Sequence, residues 1–300
     1  MLALPWLSAA AESLPGERAA FDEARRAYRF QLPETPEIIG EFLSNYPASN
    51  LTAEADMMLA DWYFFNKEYP LALRYYSEIP DDAFSGNLRE RLQYRKALSQ
   101  IKTGYYDEAA AYLARLRGSR EFGSDARFYV AYIDYVNGKY DEAYRQFQQI
   151  KSGDPKGAEA EYYINQIDYR NGEYRKVANT SERLLSGGKV PDELLAESIR
   201  VGALSNFKLG DKTTARNMLS RYIGLTGDGA EISALYALGT IYYDEGNYDK
   251  ALPLFGTVTE YPGDLAQSAW LYIGQISRRR RLSVRYIGSA CCARWSCRRV

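Results

Sequence analysis

A short phrase recurs along the chain, and its spacing constrains the fold more than any other feature. It reads "TGYYDEAAAYL", "NGKYDEAYRQF", "NGEYRKVANTS" and "EGNYDKALPLF", each with Gly two places before Tyr and five before a small residue. The glycines are Gly104, Gly138, Gly172 and Gly246, with Gly210 in a looser copy, and their spacings are 34, 34, 38 and 36 residues. Lys67 fills the same slot 37 residues before Gly104, in "NKEYPLALRYY". Periods of this length belong to stacked helical hairpins, because one hairpin cannot bury both its faces and like neighbours bury them for each other.

Each unit reads alike. An apolar-periodic stretch such as "ARFYVAYIDYVN" forms the first helix, and Gly138 ends it in the left-handed cap that glycine adopts cheaply. Tyr140 is expected to pack the corner. "DEAYRQFQQI" forms the second helix, with Asp141 and Glu142 near its positive N-terminal dipole. Ala143 is small so that the two helices approach closely, and Phe147 and Ile150 continue the same face. Ala72, Ala109, Val177, Ala215 and Ala251 match Ala143; Tyr76, Leu113, Ser181, Leu219 and Phe255 match Phe147. Ser181, and Lys212 in the Tyr140 slot, depart from the pattern.

At these residues the chain resembles the tetratricopeptide repeat family. In "LGTIYYDEGNYDKALPLF", Leu238, Gly239, Tyr242, Gly246, Tyr248, Ala251 and Phe255 stand at the family's offsets. Gln100, Asp134, Asp168 and Asn206 replace the tyrosine that Tyr242 supplies, and Tyr135, Tyr169 or Phe207 stands one place later in three of those units. The resemblance implies an all-α, right-handed superhelical solenoid of stacked helix-turn-helix hairpins. It covers residues 52–275 as six repeats and the start of a seventh. Residues 17–51 are expected to form a degenerate capping hairpin, with Pro33 and Pro36 bracketing its turn.

Chemistry is not indicated. The chain has no His, which removes imidazole bases and His-metal sites. No catalytic, cofactor-binding or metal-ligating residues stand out, and Gly227–Gly229 lies between hairpins rather than in a phosphate loop. The expectation is a non-enzyme without a cofactor. Eight of the 38 basic residues fall within residues 278–300, where there is no acid, leaving 30 against 39 acidic residues, or −9, for the rest. An acidic body argues against nucleic acid as partner. No apolar run is long enough for a transmembrane span.

What remains is a surface. In the resembled family the first helix of each unit lines a groove that binds a peptide or partner protein. Ten and three places before each turn residue stand Tyr94, Phe128, Tyr162 and Tyr236, then Phe64, Ile101, Tyr135, Tyr169, Phe207 and Tyr243; Tyr132 stands six places before Gly138. These rings either pack between neighbouring helices or line a groove, for which Tyr suits through its contact area and hydrogen-bonding tip. Some family members clamp a C-terminal carboxylate with Lys and Asn at fixed groove positions. Here the Lys slot holds Met57, Tyr94, Phe128, Tyr162, Arg200 and Tyr236, and the Asn slot holds Asp61, Leu98, Tyr132, Gln166, Leu204 and Thr240, so no unit has both.

The two ends read differently from the middle. "MLALPWLSAAAES", within residues 1–16, is an apolar leader ending in small residues, either a signal peptide whose start lies upstream or a lead into the first helix. "EFLSNYPAS" resembles the F-L-x-x-Y-P-x-S phrase of bacterial outer-membrane assembly lipoproteins, without their lipidated cysteine. A periplasmic or exported bacterial setting is therefore expected, otherwise a cytoplasmic one. The alternative functions are a subunit of an envelope assembly complex and a sensor segment of a longer signalling protein or enzyme. In residues 276–300, "RRRRLSVRYIGSACCARWSCRRV" interrupts a seventh unit in which Trp270, Ile273 and Gly274 are in register. Its Arg, Cys and Trp content is that of a shifted reading frame; a basic tail or a divergent capping helix are the other readings.

Overall fold

The structure is a computed structural model that describes residues 16–296 except Lys189, with side chains described as far as Arg280. The leader within residues 1–16 lies almost wholly outside the described residues. Among these residues the chain is all helical, fifteen α-helices and one short 3-10 turn. It forms two compact units, Met1–Lys156 and Gly157–Val300.

The first unit holds four hairpins: α1 (Glu17–Arg29) with α2 (Thr35–Asn45), α3 (Thr52–Phe65) with α4 (Tyr69–Glu78), α5 (Gly86–Thr103) with α6 (Tyr106–Leu116), and α7 (Gly123–Val136) with α8 (Tyr140–Phe147). The second holds α9 (Gly157–Arg170) with α10 (Tyr174–Ser186), α11 (Asp192–Leu209) with α12 (Lys212–Thr226), α13 (Ile232–Asp244) with α14 (Tyr248–Thr259), and α15 (Asp264–Ser296).

The recurring phrase builds the turns. Gly104, Gly138, Gly172, Gly210 and Gly246 all have φ between 75° and 87°, and Lys67 has φ 62°. Each is the left-handed residue of one capping motif. In the fourth hairpin the Gly138 N–H donates to Tyr135 O at 3.0 Å and the Lys139 N–H to Asp134 O at 2.8 Å. The same pair of bonds closes at Lys67 and at each of the other glycines. It also closes at Gln31, φ 49°, so the first hairpin turns there. Pro36 does not bracket that turn. It sits in the first turn of α2, where a missing N–H costs no hydrogen bond.

The small residue five places on is buried every time. Ala72, Ala109, Ala143, Val177, Ala215 and Ala251 are all 0% exposed. So are Tyr76, Leu113, Phe147, Ser181, Leu219 and Phe255 one turn later. Ser181 is a fitted departure: its hydroxyl accepts from Asn165 Nδ2 at 2.9 Å, and a methyl on Gly202 would stand 2.6 Å from its Cβ. A larger residue at 181 would drive α10 off α11. Two of the polar residues in the Tyr242 slot are likewise tied to their second helices. Asp134 accepts from Gln146 Nε2 at 2.7 Å, and Asp168 accepts from Lys176 Nζ at 2.9 Å.

Several first helices also lie side by side. α1 lies beside α3 and α3 beside α5 in the first unit; in the second unit α9, α11, α13 and α15 are neighbours in the same way. The candidate binding residues stand on first helices.

Candidate functional site

The aromatic positions three and ten places before the turn are held in different ways. Those three places before the turn edge against the tyrosine two places after it: Phe64 on Tyr69 at 5.6 Å, Tyr135 on Tyr140 at 5.5 Å, Tyr169 on Tyr174 at 5.8 Å, and Tyr243 on Tyr248 at 5.7 Å between ring centroids. The ring pair staples the corner of its own hairpin. Phe207 faces Lys212 in that register and lacks the ring partner, but stays half-buried.

Those ten places before the turn reach toward the second helix and the next hairpin. Phe128 packs on Phe147 at 5.6 Å and Tyr236 on Phe255 at 6.0 Å. Tyr94 stacks on Phe122 at 4.7 Å, and its hydroxyl donates to Asp125 Oδ2 at 2.6 Å. Burial, then this bond to Asp125, holds the Tyr94 phenol well above its usual pKa. Phe128 and Tyr162 are buried, at 4% and 8% exposure, and so support the row from beneath rather than line it. The other eight, including Tyr132, are half-buried.

The first unit also holds a polar cluster. Asp61 stands six places before Lys67 and is 1% exposed. Its carboxylate accepts from Tyr76 Oη at 2.5 Å and from Tyr28 Oη at 3.0 Å, and is paired with the Arg95 guanidinium. Burial works against the charge of Arg95, but Asp61 outweighs it and the guanidinium is held more firmly protonated. Burial and the Asp61 charge push both phenols up. Asp61 is the one acid in its slot, and Tyr76 the one tyrosine in the Phe147 slot. That matched pair was visible in the sequence; the contacts with Tyr28 and Arg95, 33 and 34 residues away, depend on how hairpins stack and were not.

Beside this cluster, α1, α3, α5 and the loop before α5 border an open cavity of about 380 Å³. Met57, Met58, Phe84 and Leu88 give it an apolar wall, and Arg29 and Arg91 reach its rim. No such cation pair occurs at the clamp positions. Arg200, the cation in the clamp's Lys slot, is tied to Glu197 at 2.5 Å and to Glu231 at 3.0 Å. Among the described residues no group of acids and cysteines could hold a metal ion, and no helix is long and apolar enough to cross a membrane. Gly227–Gly229 forms a 3-10 turn after α12.

Repeated capping motifs, buried small residues and a row of first helices meet the sequence model of the tetratricopeptide repeat at residues 94–158 and 236–283. Over those residues the chain carries tetratricopeptide repeats. Its fold is shared with a tetratricopeptide repeat protein from Parabacteroides merdae, with a TM-score of 0.55 at 15% identity over 87% of this chain and 100% of that one. It is also shared with the C-terminal part of a TPR repeat-containing protein from Cytophaga hutchinsonii, at 0.55 and 15% over 83% and 98%. None of the curated proteins matches the sequence. Tetratricopeptide repeats are protein-interaction scaffolds, and no enzyme family is indicated for this one.

Proposed function

We propose that the protein is a non-catalytic scaffold that holds an extended peptide or a partner helix along its first helices. The observation that carries this reading is the exposure pattern: Phe64, Tyr94, Tyr132 and Tyr135 in one unit, and Tyr169, Phe207, Tyr236 and Tyr243 in the other, are each half-buried on a first helix. Rings already held by a neighbour lose little entropy when a partner covers what they still expose.

Site-specific photo-crosslinking in the native cell tests it. A crosslinker at Tyr132 or Tyr169 is expected to trap a protein partner, whereas one at Glu142 or Arg175 on the exposed second helices is not. Tyr169→Ala is expected to weaken the trapped complex by about ten-fold or more while the melting temperature moves by a few degrees. Crosslinks from second helices alone would place the interface elsewhere. The apolar leader and "EFLSNYPAS" favour an exported bacterial protein, and fractionation of cells with a C-terminal epitope tag tests that.

A further inference from the structure

We propose that the cavity between α1, α3 and α5 binds an acidic side chain of the partner peptide, with an adjacent large apolar side chain seated beside it. This rests on the interaction reading above and assigns it a ligand chemistry.

The charges around the cavity do not cancel. On α1, Arg25 is paired with Glu54 of α3 at 3.1 Å. On α3, Asp61 is neutralised by Arg95 of α5 and capped by two phenols. That uses every acid lining the cavity and leaves Arg29 on α1 and Arg91 on α5, neither of which has a hydrogen-bond or ion-pair partner. The Nε of Arg91 is moreover shut away from solvent, so its N–H meets neither water nor protein. With Nε buried, the outer N–H groups of Arg91 and the guanidinium of Arg29 are what a ligand can meet, and a carboxylate is the group that would cancel their charge. The wall beside it is apolar: Met57 is 3% exposed, Phe84 is half-buried, and Leu88, at 44%, stands open at the mouth. A bare anion would leave that wall wet. A glutamate or aspartate beside a leucine-like residue satisfies both surfaces, and the volume falls in the range of about 300–1,000 Å³ usual for small ligand sites. The clamp geometry for a chain-terminal carboxylate is missing, so the ligand is a side chain within a segment and not a C-terminus.

The test uses the full chain and capped peptides, acetylated and amidated, of alternating leucine and glutamate. Sister peptides carry glutamine or lysine in place of glutamate, and fluorescence anisotropy reads the binding. The glutamate peptide is expected to bind at least ten-fold tighter than the glutamine peptide, with the difference shrinking as salt shortens the Debye length below about 10 Å. Arg29→Gln with Arg91→Gln should remove that advantage and leave the glutamine peptide unaffected. Arg29→Glu with Arg91→Glu should turn the preference toward lysine. Circular dichroism and melting confirm that each variant is folded; should the double variants not fold, Arg29→Gln alone, at an exposed site, is expected to weaken the glutamate peptide about three-fold. Equal binding of the glutamate and glutamine peptides, no binding of either, or an advantage that survives removal of both arginines would overturn the proposal. Continued trapping of a partner at Tyr132 in that event would leave the scaffold reading standing and remove only this site.

Discussion

Lys67 shows how strongly a single backbone position is specified. It occupies with φ 62° the slot that glycine fills at the five following turns, and it makes the same two capping hydrogen bonds. A side chain in this region crowds the backbone by about 1–2 kcal/mol, and glycine's extra freedom in the unfolded chain returns part of that. Lys67→Gly is therefore expected to raise stability by about 0.5–1 kcal/mol, read as an upward shift of the urea midpoint; an unchanged or lower midpoint would mean that the Lys67 side chain has a stabilising role of its own. Asp56 on α3 carries strain of another kind. Burial first, and the nearby Glu78 second, raise its pKa to about 6. The folded state then binds more protons than the unfolded state between about pH 4 and 6. Stability attributable to this group is highest below that window and is lost as pH rises through it. Asp56→Asn should accordingly stabilise by about 1 kcal/mol at pH 7, a figure reduced for its half-exposed setting, and by nothing at pH 4. An equal gain at both pH values would point to a cause other than its charge.

At the scale of the helix and hairpin, the sequence was legible because one periodicity encodes one repeated backbone event. Gly138 fixes the cap, Ala143 the closest approach of α7 and α8, and Phe147 the ring that fills the space beyond. Ala143 is fully buried, so Ala143→Leu is expected to overpack that approach and cost about 1–3 kcal/mol by denaturant titration, whereas a neutral result would show a looser helix contact than the structure has. The site was less legible for a physical reason. An aromatic three places before the turn could point outward or brace the corner, and the choice depends on the residue two places after it: Tyr135 has Tyr140 to lean on and Phe207 has Lys212. The Arg29 and Arg91 pair was invisible, because both sit at positions where a solvated arginine is unremarkable. Only the lateral placement of α1 against α3, and α3 against α5, brings them to one cavity.

For the whole molecule, the rule that like hairpins bury each other's faces is tested most directly in the second unit at α15. Its start docks as any first helix does: Ala269 and Ile276 are 0% exposed, and Tyr272 stacks on Phe255 at 4.9 Å. The helix then runs on to Ser296 with no turn at Arg281, seven places past Gly274, where the repeat would place one. The face that a second helix covers elsewhere stays open. Leu235 of α13 is 8% exposed, while Trp270, in the same slot 35 residues later, is 60% exposed. Gly239 lies so close to Phe255 that an added methyl would approach the ring to 2.9 Å, but a methyl on Gly274 would meet nothing within 4 Å. Identical slots therefore carry different energies. Leu235→Ala should cost about 2 kcal/mol or more through lost burial and the cavity left behind, and Trp270→Ala should stay within about 0.5 kcal/mol, both measured by denaturant titration of dilute protein. If Trp270→Ala costs as much as Leu235→Ala, the open face is covered in solution, and a dependence of that cost on protein concentration would identify the cover as a second copy of the chain.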